Sequence, residues 1–336
     1  MDPFSRYLPS IEAEMRDLVR SHADGPEHLY NMLRYHLGWM DASFRAIDLD
    51  AGKRLRPVLL LLSNEAHGGD WRPALPAAAA VELLHNFSLI HDDIEDQDEL
   101  RRGRPTLWRL WEIPQALNAG DALFAISYRG MLALEERGTP PHRVTLALRQ
   151  YTEAVIRITE GQHRDIGFET DGHVEEARYL AMIGGKTAAL VGLATELGAI
   201  LAGAGEEAAL AQRAFGEGLG KAFQMHDDLL GLWGDPAKTG KPVGSDLQRH
   251  KKTLPILYAV GKSERFRRLF AEPVLSPAQV REALQELDRC GGRAYTEQRA
   301  HDYHRDALTA LERSGASGEA YEALQALAEQ LLGRQK

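Results

Sequence analysis

The chain has 336 residues, 44% of them hydrophobic, enough for one large domain with a sizeable core or two ordinary ones. Its formal net charge of -9 argues against a nucleic-acid partner, because a phosphate backbone requires a net basic face. A single cysteine, Cys290, excludes an intramolecular disulfide framework and a cysteine-rich metal site, and fits a reducing compartment.

The first twenty residues carry Asp2, Glu12, Glu14 and Asp17 and lack a basic start followed by an apolar run, so they do not read as a signal peptide. No segment reads as long and apolar enough to span a bilayer, and a cytoplasmic location is expected. Gly52-Lys53-Arg54-Leu55-Arg56-Pro57 then precedes an apolar helix over Val58 to Leu62. Lys53 and Arg56, three residues apart, are spaced to converge on one phosphate.

Helical spacing of Val81, Leu84 and Leu89 runs into His91-Asp92-Asp93-Ile94-Glu95-Asp96. On a helix Asp92 and Asp96 share a face, and His85 lies two turns back on nearly the same one. Two carboxylates on adjacent turns suit magnesium, which keeps several waters and takes phosphate oxygens as further ligands. Asp93 lies around the helix and is a poorer ligand. Four acids in five residues, entered through Phe87-Ser88-Leu89-Ile90, repel one another unless cations neutralise them. A basic loop, Arg101-Arg102-Gly103-Arg104-Pro105-Thr106, follows.

Gly185-Lys186-Thr187 has the end of a phosphate loop without its glycine-rich start, so nucleotide binding of that kind is not expected. Ala188 to Leu201 is rich in small residues that permit close helix packing. Gln224, His226, Asp227 and Asp228 then repeat the acidic pattern. The stretch from about Gly231 to Thr253, which holds Gly234, Pro236, Gly240, Pro242 and Gly244 among lysines, reads as the longest irregular segment, and such a loop is functional or mobile. Tyr321, Leu324, Leu327, Leu331 and Leu332 stripe a last helix. No run of alternating β-branched residues stands out and no composition break marks a linker. The expectation is therefore a single all-α domain over residues 1–336.

Two acidic motifs, each followed by a basic stretch, look built to grip a polyphosphate. Asp92-Asp93-Ile94-Glu95-Asp96 with Arg101-Arg102-Gly103 resembles the first aspartate-rich motif of trans-isoprenyl diphosphate synthases, and Phe223-Gln224-Met225-His226-Asp227-Asp228 resembles their second. Gly52 to Pro57, Gly161-Gln162, Gly185-Lys186-Thr187, Gly240 to Leu247 and Lys251 to Pro255 match in the same order, so the likeness runs from about residue 52 to 255. It implies an all-α helical bundle around a central active-site cavity, a homodimer formed through helix faces that Ala/Leu/Gly-rich segments such as Ala188 to Leu201 are expected to supply, and head-to-tail prenyl transfer between isopentenyl diphosphate and an allylic diphosphate. Several Mg2+ ions are implied at Asp92, Asp96 and Asp227. Lys186, Lys241, Lys251 and Arg101 match contacts to the allylic diphosphate. Lys53, Arg56, His85 and Arg102 match the isopentenyl diphosphate site, and Thr187 and Gln224 match positions lining the reacting carbons.

Phe87, five before Asp92, and Ser88, four before, resemble the chain-length positions of geranylgeranyl diphosphate synthases more than those of farnesyl or longer-chain enzymes. Helix geometry puts Ser88 nearer the Asp92 face and Phe87 well around from it. Two departures from the pattern stand out. Gly231 occupies the place of a usual third aspartate, and restoring Asp there is expected to change little. Arg164 stands where an apolar residue is usual. A class I terpene cyclase and a non-catalytic subunit of a heteromeric synthase are the competing readings. Retention of Gln224, Asp227, Lys53, Arg56 and His85 favours the transferase.

Overall fold

The computed structural model describes residues 3–21, 24–47, 49, 52, 54–172, 174–236 and 242–332, and nearly all regular structure in them is helical. The chain packs as two compact units.

The first unit comprises Met1–Arg149 with Leu197–Gly205. It holds α1 (Pro3–Leu18), α2 (Glu27–His36), α3 (Leu55–Ala66), α4 (Leu75–Glu95), a hairpin of β1 (Leu100–Arg101) and β2 (Arg104–Pro105), α5 (Leu107–Glu136) and the start of α6 (Pro141–Thr170). In α1, Tyr7, Ile11, Met15 and Leu18 recur at helical spacing and are all buried. Pro76 at the start of α4 and the run Ala77 to Ala80 favour helix, and the run is buried throughout. Gly130 of α5 lies so close to Pro76 and Ala80 that a side chain there would crowd α4. Helix α5 is kinked after its first turn at Trp111 and Glu112, whose dihedrals are non-helical, just before Pro114 removes a backbone donor.

The second unit comprises Gln150–Glu196 and Glu206–Lys336. It contains the rest of α6, α7 (Glu176–Ile183), a π turn (Gly184–Ala188), most of α8 (Ala189–Ala202), α9 (Glu206–Trp233), α10 (Ser245–Gln248), α11 (Leu254–Lys262), α12 (Glu264–Phe270), α13 (Pro277–Cys290), α14 (Gly292–Arg313) and α15 (Gly318–Leu332). Helix α9 lies against α14 at Gly218, beside Ala307 and the Tyr303 carbonyl. Helix α13 opens with a reciprocal Ser276–Gln279 cap and closes on Gly291 in the left-handed region. The expected stripe on α15 is present, with Leu324, Leu327 and Leu331 buried.

Three sequence expectations change. Helical structure runs unbroken through Gly184 and Gly185, so Glu176–Ala202 forms one 27-residue stretch that is long and apolar enough to cross a membrane, 78% of its apolar window being buried inside the protein. Gly184 and Gly185 are accommodated in the π turn. The small residues of α8 face inward along Ala188 to Ile200 and are used in packing within the chain, so they are not an available partner face. The segment read as a loop from Gly231 is helical to Trp233 and again over Ser245–Gln248. Lys241 and its neighbours 237–240, like Lys53, lie outside the described residues.

Candidate active site

In the first unit, α4 delivers the acidic motif at its C-terminal end. Asp92 occupies the last turn, and Asp96 caps the helix by donating its N–H to the Asp92 carbonyl at 2.8 Å. Both side chains are half-exposed, whereas Asp93 is sealed at 2% exposure. Arg101 donates Nε to Asp93 Oδ1 at 2.6 Å and sets Nη2 3.5 Å from Asp92 Oδ2. Burial pushes the Asp93 carboxyl up to about 6, against the pull of Arg101. Asp93 therefore anchors the guanidinium beside Asp92 rather than facing outward with Asp92 and Asp96.

The hairpin explains how the basic loop is aimed. Arg101 pairs with Arg104, leaving Arg102 and Gly103 as a two-residue turn with φ of 53° and 74°. A turn with both central residues left-handed matches strand twist, and glycine takes the second position without strain. Arg104 fastens the hairpin to the end of α2 through the carbonyls of Tyr35 (3.0 Å) and Met40 (2.7 Å) and stacks over the Tyr35 ring. The Arg102 guanidinium lies against Gly52, whose φ of 114° and missing side chain permit the approach.

His85 is neutral. Withdrawal from solvent and the charges of Arg56, Arg102, Arg101 and Arg54 hold its imidazole well below the usual range. Those charges place Arg56 and Arg102 in one neighbourhood with it. Arg54 has a different job: it is buried, bonded to Glu12 (2.8 Å) and Glu82 (2.9 Å), and fixes the start of α3. Ser88 turns its hydroxyl back to the His85 carbonyl at 2.7 Å. Phe87 packs toward α5, as its helical position predicts, with its ring 4.9 Å from that of Phe124.

In the second unit the π turn presents Lys186 and Thr187. Its widened backbone follows from a close approach to α6: a Cβ on Gly161 would overlap the Lys186 backbone, and one on Gly185 would meet the Arg157 carbonyl. Such bulges recur at functional sites because they re-aim side chains. Lys186 Nζ donates to Asp165 Oδ2 at 2.5 Å. Thr187 donates its hydroxyl to Gln224 Oε1 at 2.8 Å, and Gln224 Nε2 continues to Asp228 Oδ1 at 3.2 Å. Asp228 also accepts from Tyr179 (2.7 Å) and the Leu254 N–H (3.1 Å). Burial pushes its carboxyl up to about 7. The second acid of each pair thus turns inward, and Asp227, half-exposed, is the outward member.

A Cβ at Gly231 would meet the carboxylate end of the Asp246 side chain, which must shift to admit one. Lys251 is tied to the same corner by its N–H to the Asp246 carbonyl at 3.0 Å. Arg164 pairs with Glu160 one turn earlier on α6, at 3.4 Å. Sequence reasoning missed Asp165, Tyr179 and Glu82. The aspartate in Gly161-Gln162-His163-Arg164-Asp165 was the one visible signal among them.

The donor set fits a hard divalent cation. Asp92 and Asp96 offer only carboxylate oxygens at the negative end of a helix, where further negative charge is unfavourable without a counter-ion. No three His, Cys, Asp or Glu side chains form a closed cage among the described residues. Magnesium bound through one or two carboxylates plus substrate phosphates requires none.

Comparison with known proteins gives consistent results. The polyprenyl synthetase family profile matches residues 38–287. The (2E,6E)-farnesyl diphosphate synthase of Mycobacterium bovis is 40% identical over 316 residues, covering 92% of this chain and 87% of that protein. A geranylgeranyl diphosphate synthase of Mycobacterium tuberculosis is 39% identical over 313 residues, covering 88% of each. Among solved structures, geranylgeranyl pyrophosphate synthetase from Pyrococcus horikoshii superposes with a TM-score of 0.89 at 34% identity, over 99% of this chain and 98% of that one.

Proposed function

The chain belongs to the polyprenyl synthetase family and is a prenyltransferase, and from that premise we propose that it joins isopentenyl diphosphate head to tail to an allylic diphosphate and releases geranylgeranyl diphosphate. The observation that supports this reading is that the first unit carries two chemically different clusters of charged side chains. One combines Asp92 and Asp96 with a fixed Arg101. In the other, Arg56 and Arg102 lie near a neutral His85. A diphosphate that must leave needs metal-bridged carboxylates. A diphosphate that stays attached needs only positive charge and donors.

In this reading Asp92, Asp96 and Asp227 hold Mg2+, which when bound supplies Lewis-acid stabilisation of the departing diphosphate. Arg101, Lys186, Lys241 and Lys251 bind the same leaving group and share its charge. Lys53, Arg56, His85 and Arg102 seat isopentenyl diphosphate, so that its double bond meets the allylic carbon as the carbon–oxygen bond breaks. Thr187 and Gln224, held by their mutual hydrogen bond, line the reacting carbons and keep water out. The released diphosphate takes the proton that closes the reaction. Phe87 and Ser88 set chain length, and the relatives' names span both farnesyl and geranylgeranyl products.

The same reading includes a homodimer. Ile113, Leu117 and Leu132 of α5 are exposed apolar side chains, which supports α5 rather than α8 as the source of a partner face. Sedimentation at micromolar concentration tests the dimer, and a monomer there rejects it. The activity is tested by giving the purified chain Mg2+, isopentenyl diphosphate and each allylic primer in turn, then separating the products by chromatography.

A further inference from the structure

Four side chains of the second unit form one unbroken hydrogen-bonded row, and the row begins at a residue outside the substrate-binding set. Tyr179 of α7 donates its hydroxyl to Asp228 Oδ2 at 2.7 Å. The Leu254 N–H, at the start of α11, donates to the same oxygen at 3.1 Å. The other oxygen, Oδ1, accepts from Gln224 Nε2 at 3.2 Å, and Gln224 Oε1 accepts the Thr187 hydroxyl at 2.8 Å. Gln224 and Asp228 stand four residues apart on α9 and so share a face.

The direction of the row follows from its far end. A carboxylate offers only acceptors, so the Gln224 amide turns its N–H to Asp228 and its oxygen to Thr187. Thr187 must then donate. Its one hydroxyl hydrogen is committed to Gln224, and its oxygen lone pairs are left for whatever lies on the other side. Two donors on Oδ2 keep the carboxylate from rotating. Of these Tyr179 is the side chain, 1% exposed, with its ring in a core shared with Phe168, Met182, Ile183 and Met225. A buried tyrosine holds the partner its hydroxyl has found, because no water competes for it.

We propose that Tyr179 is a positioning residue for prenyl transfer: through Asp228 and Gln224 it fixes the Thr187 hydroxyl so that an oxygen lone pair, and not a hydrogen, faces the positive charge developing on the allylic carbon. The inference rests on the reading in which Thr187 and Gln224 line the reacting carbons. A fixed, electron-rich oxygen stabilises that charge without reorganising as it forms. Groups bonded to one another also have fewer sites left with which to bring in water. Loosening the row weakens both effects. The ionised allyl group then has a second fate, in which water adds to its carbon and gives up a proton, leaving an allylic alcohol and diphosphate.

The test uses the full chain with Mg2+, isopentenyl diphosphate and farnesyl diphosphate, and compares wild type, Tyr179→Phe, Thr187→Val, Thr187→Ser and the Tyr179→Phe, Thr187→Val double variant. The readouts are kcat, both KM values, the share of farnesol among the products, and melting temperature. Tyr179→Phe removes one oxygen and keeps the ring. It should lower kcat roughly tenfold, change either KM by less than about twofold, and raise the farnesol share several-fold. In the Thr187→Val background the same substitution should change kcat little, because it acts only through the Thr187 hydroxyl. Thr187→Ser, which keeps that hydroxyl, should keep most of the rate. An unchanged kcat and farnesol share in Tyr179→Phe, or the same loss repeated in full in the double variant, would overturn the proposal and leave Tyr179 as packing. So would a Thr187→Ser rate as low as that of Thr187→Val, an outcome that decides even if Tyr179→Phe does not fold. No consumption of isopentenyl diphosphate by wild type overturns the prenyl-transfer reading itself, whereas normal wild-type turnover with multiplying losses overturns only the role of Tyr179.

Discussion

Lys186 on the π turn and Asp165 on α6 form a 2.5 Å ammonium–carboxylate pair, each side chain about three-quarters removed from solvent. The pair fixes a cation that would otherwise sample many rotamers, and it does so four residues from Gly161, where the two backbones touch. A lysine held at its post spends less ordering entropy when a diphosphate arrives.

Asp165→Asn should therefore raise KM for the allylic diphosphate by roughly tenfold, about 1.4 kcal/mol, with a smaller change in kcat and little in KM for isopentenyl diphosphate. Steady-state kinetics with each substrate varied in turn checks this. Equal effects on both KM values would remove the positioning role.

The inward and outward aspartates should separate by assay. Asp92→Ala and Asp227→Ala are expected to lower turnover roughly a hundredfold or more with melting temperature nearly unchanged. Asp228→Asn should cost roughly 1–3 kcal/mol of stability, because one amide oxygen replaces two carboxylate oxygens that serve Tyr179, Leu254 and Gln224. Thermal melts and initial rates on the same preparations distinguish the two patterns.

Gly231→Asp places a side chain onto the Asp246 carboxylate. Crowding and like charge together are expected to destabilise the protein by about 1–3 kcal/mol. A melt with no loss relative to wild type would mean that Asp246 moves aside at little cost.

Glu196 gives a pH-dependent prediction. It is sealed at 2% exposure, 3.4 Å from Arg213, and burial pushes its carboxyl up to about 7 from an ordinary 4.5. A folded pKa above the unfolded one favours the protonated form, so its contribution is full below about 4.5 and lost as pH rises through about 7, at up to about 1.4 kcal/mol per pH unit. Glu196→Gln should match wild type in melting temperature near pH 4.5 and exceed it at pH 8. Parallel curves across that range would contradict the assignment.

Much of the fold and half of the site were legible in the sequence, for identifiable reasons. Helical periodicity and the four-residue spacing of Asp92 and Asp96 are local properties, and the structure keeps them. The inward turn of Asp93 and Asp228 was not legible, since it depends on partners, Arg101 and Tyr179, that reach them only in the folded chain. The π turn was hidden for the same reason: two glycines 24 residues apart in sequence allow the backbone contact beside it.

The central claim is that the chain elongates an allylic diphosphate with isopentenyl diphosphate. It is tested most directly by product chromatography of the purified single chain with Mg2+, isopentenyl diphosphate and farnesyl diphosphate. The account predicts geranylgeranyl diphosphate as the main product, no turnover when isopentenyl diphosphate is left out, and loss of product on chelation of the metal. Cyclised or hydrolysed products formed from farnesyl diphosphate alone, without incorporation of isopentenyl diphosphate, would contradict it.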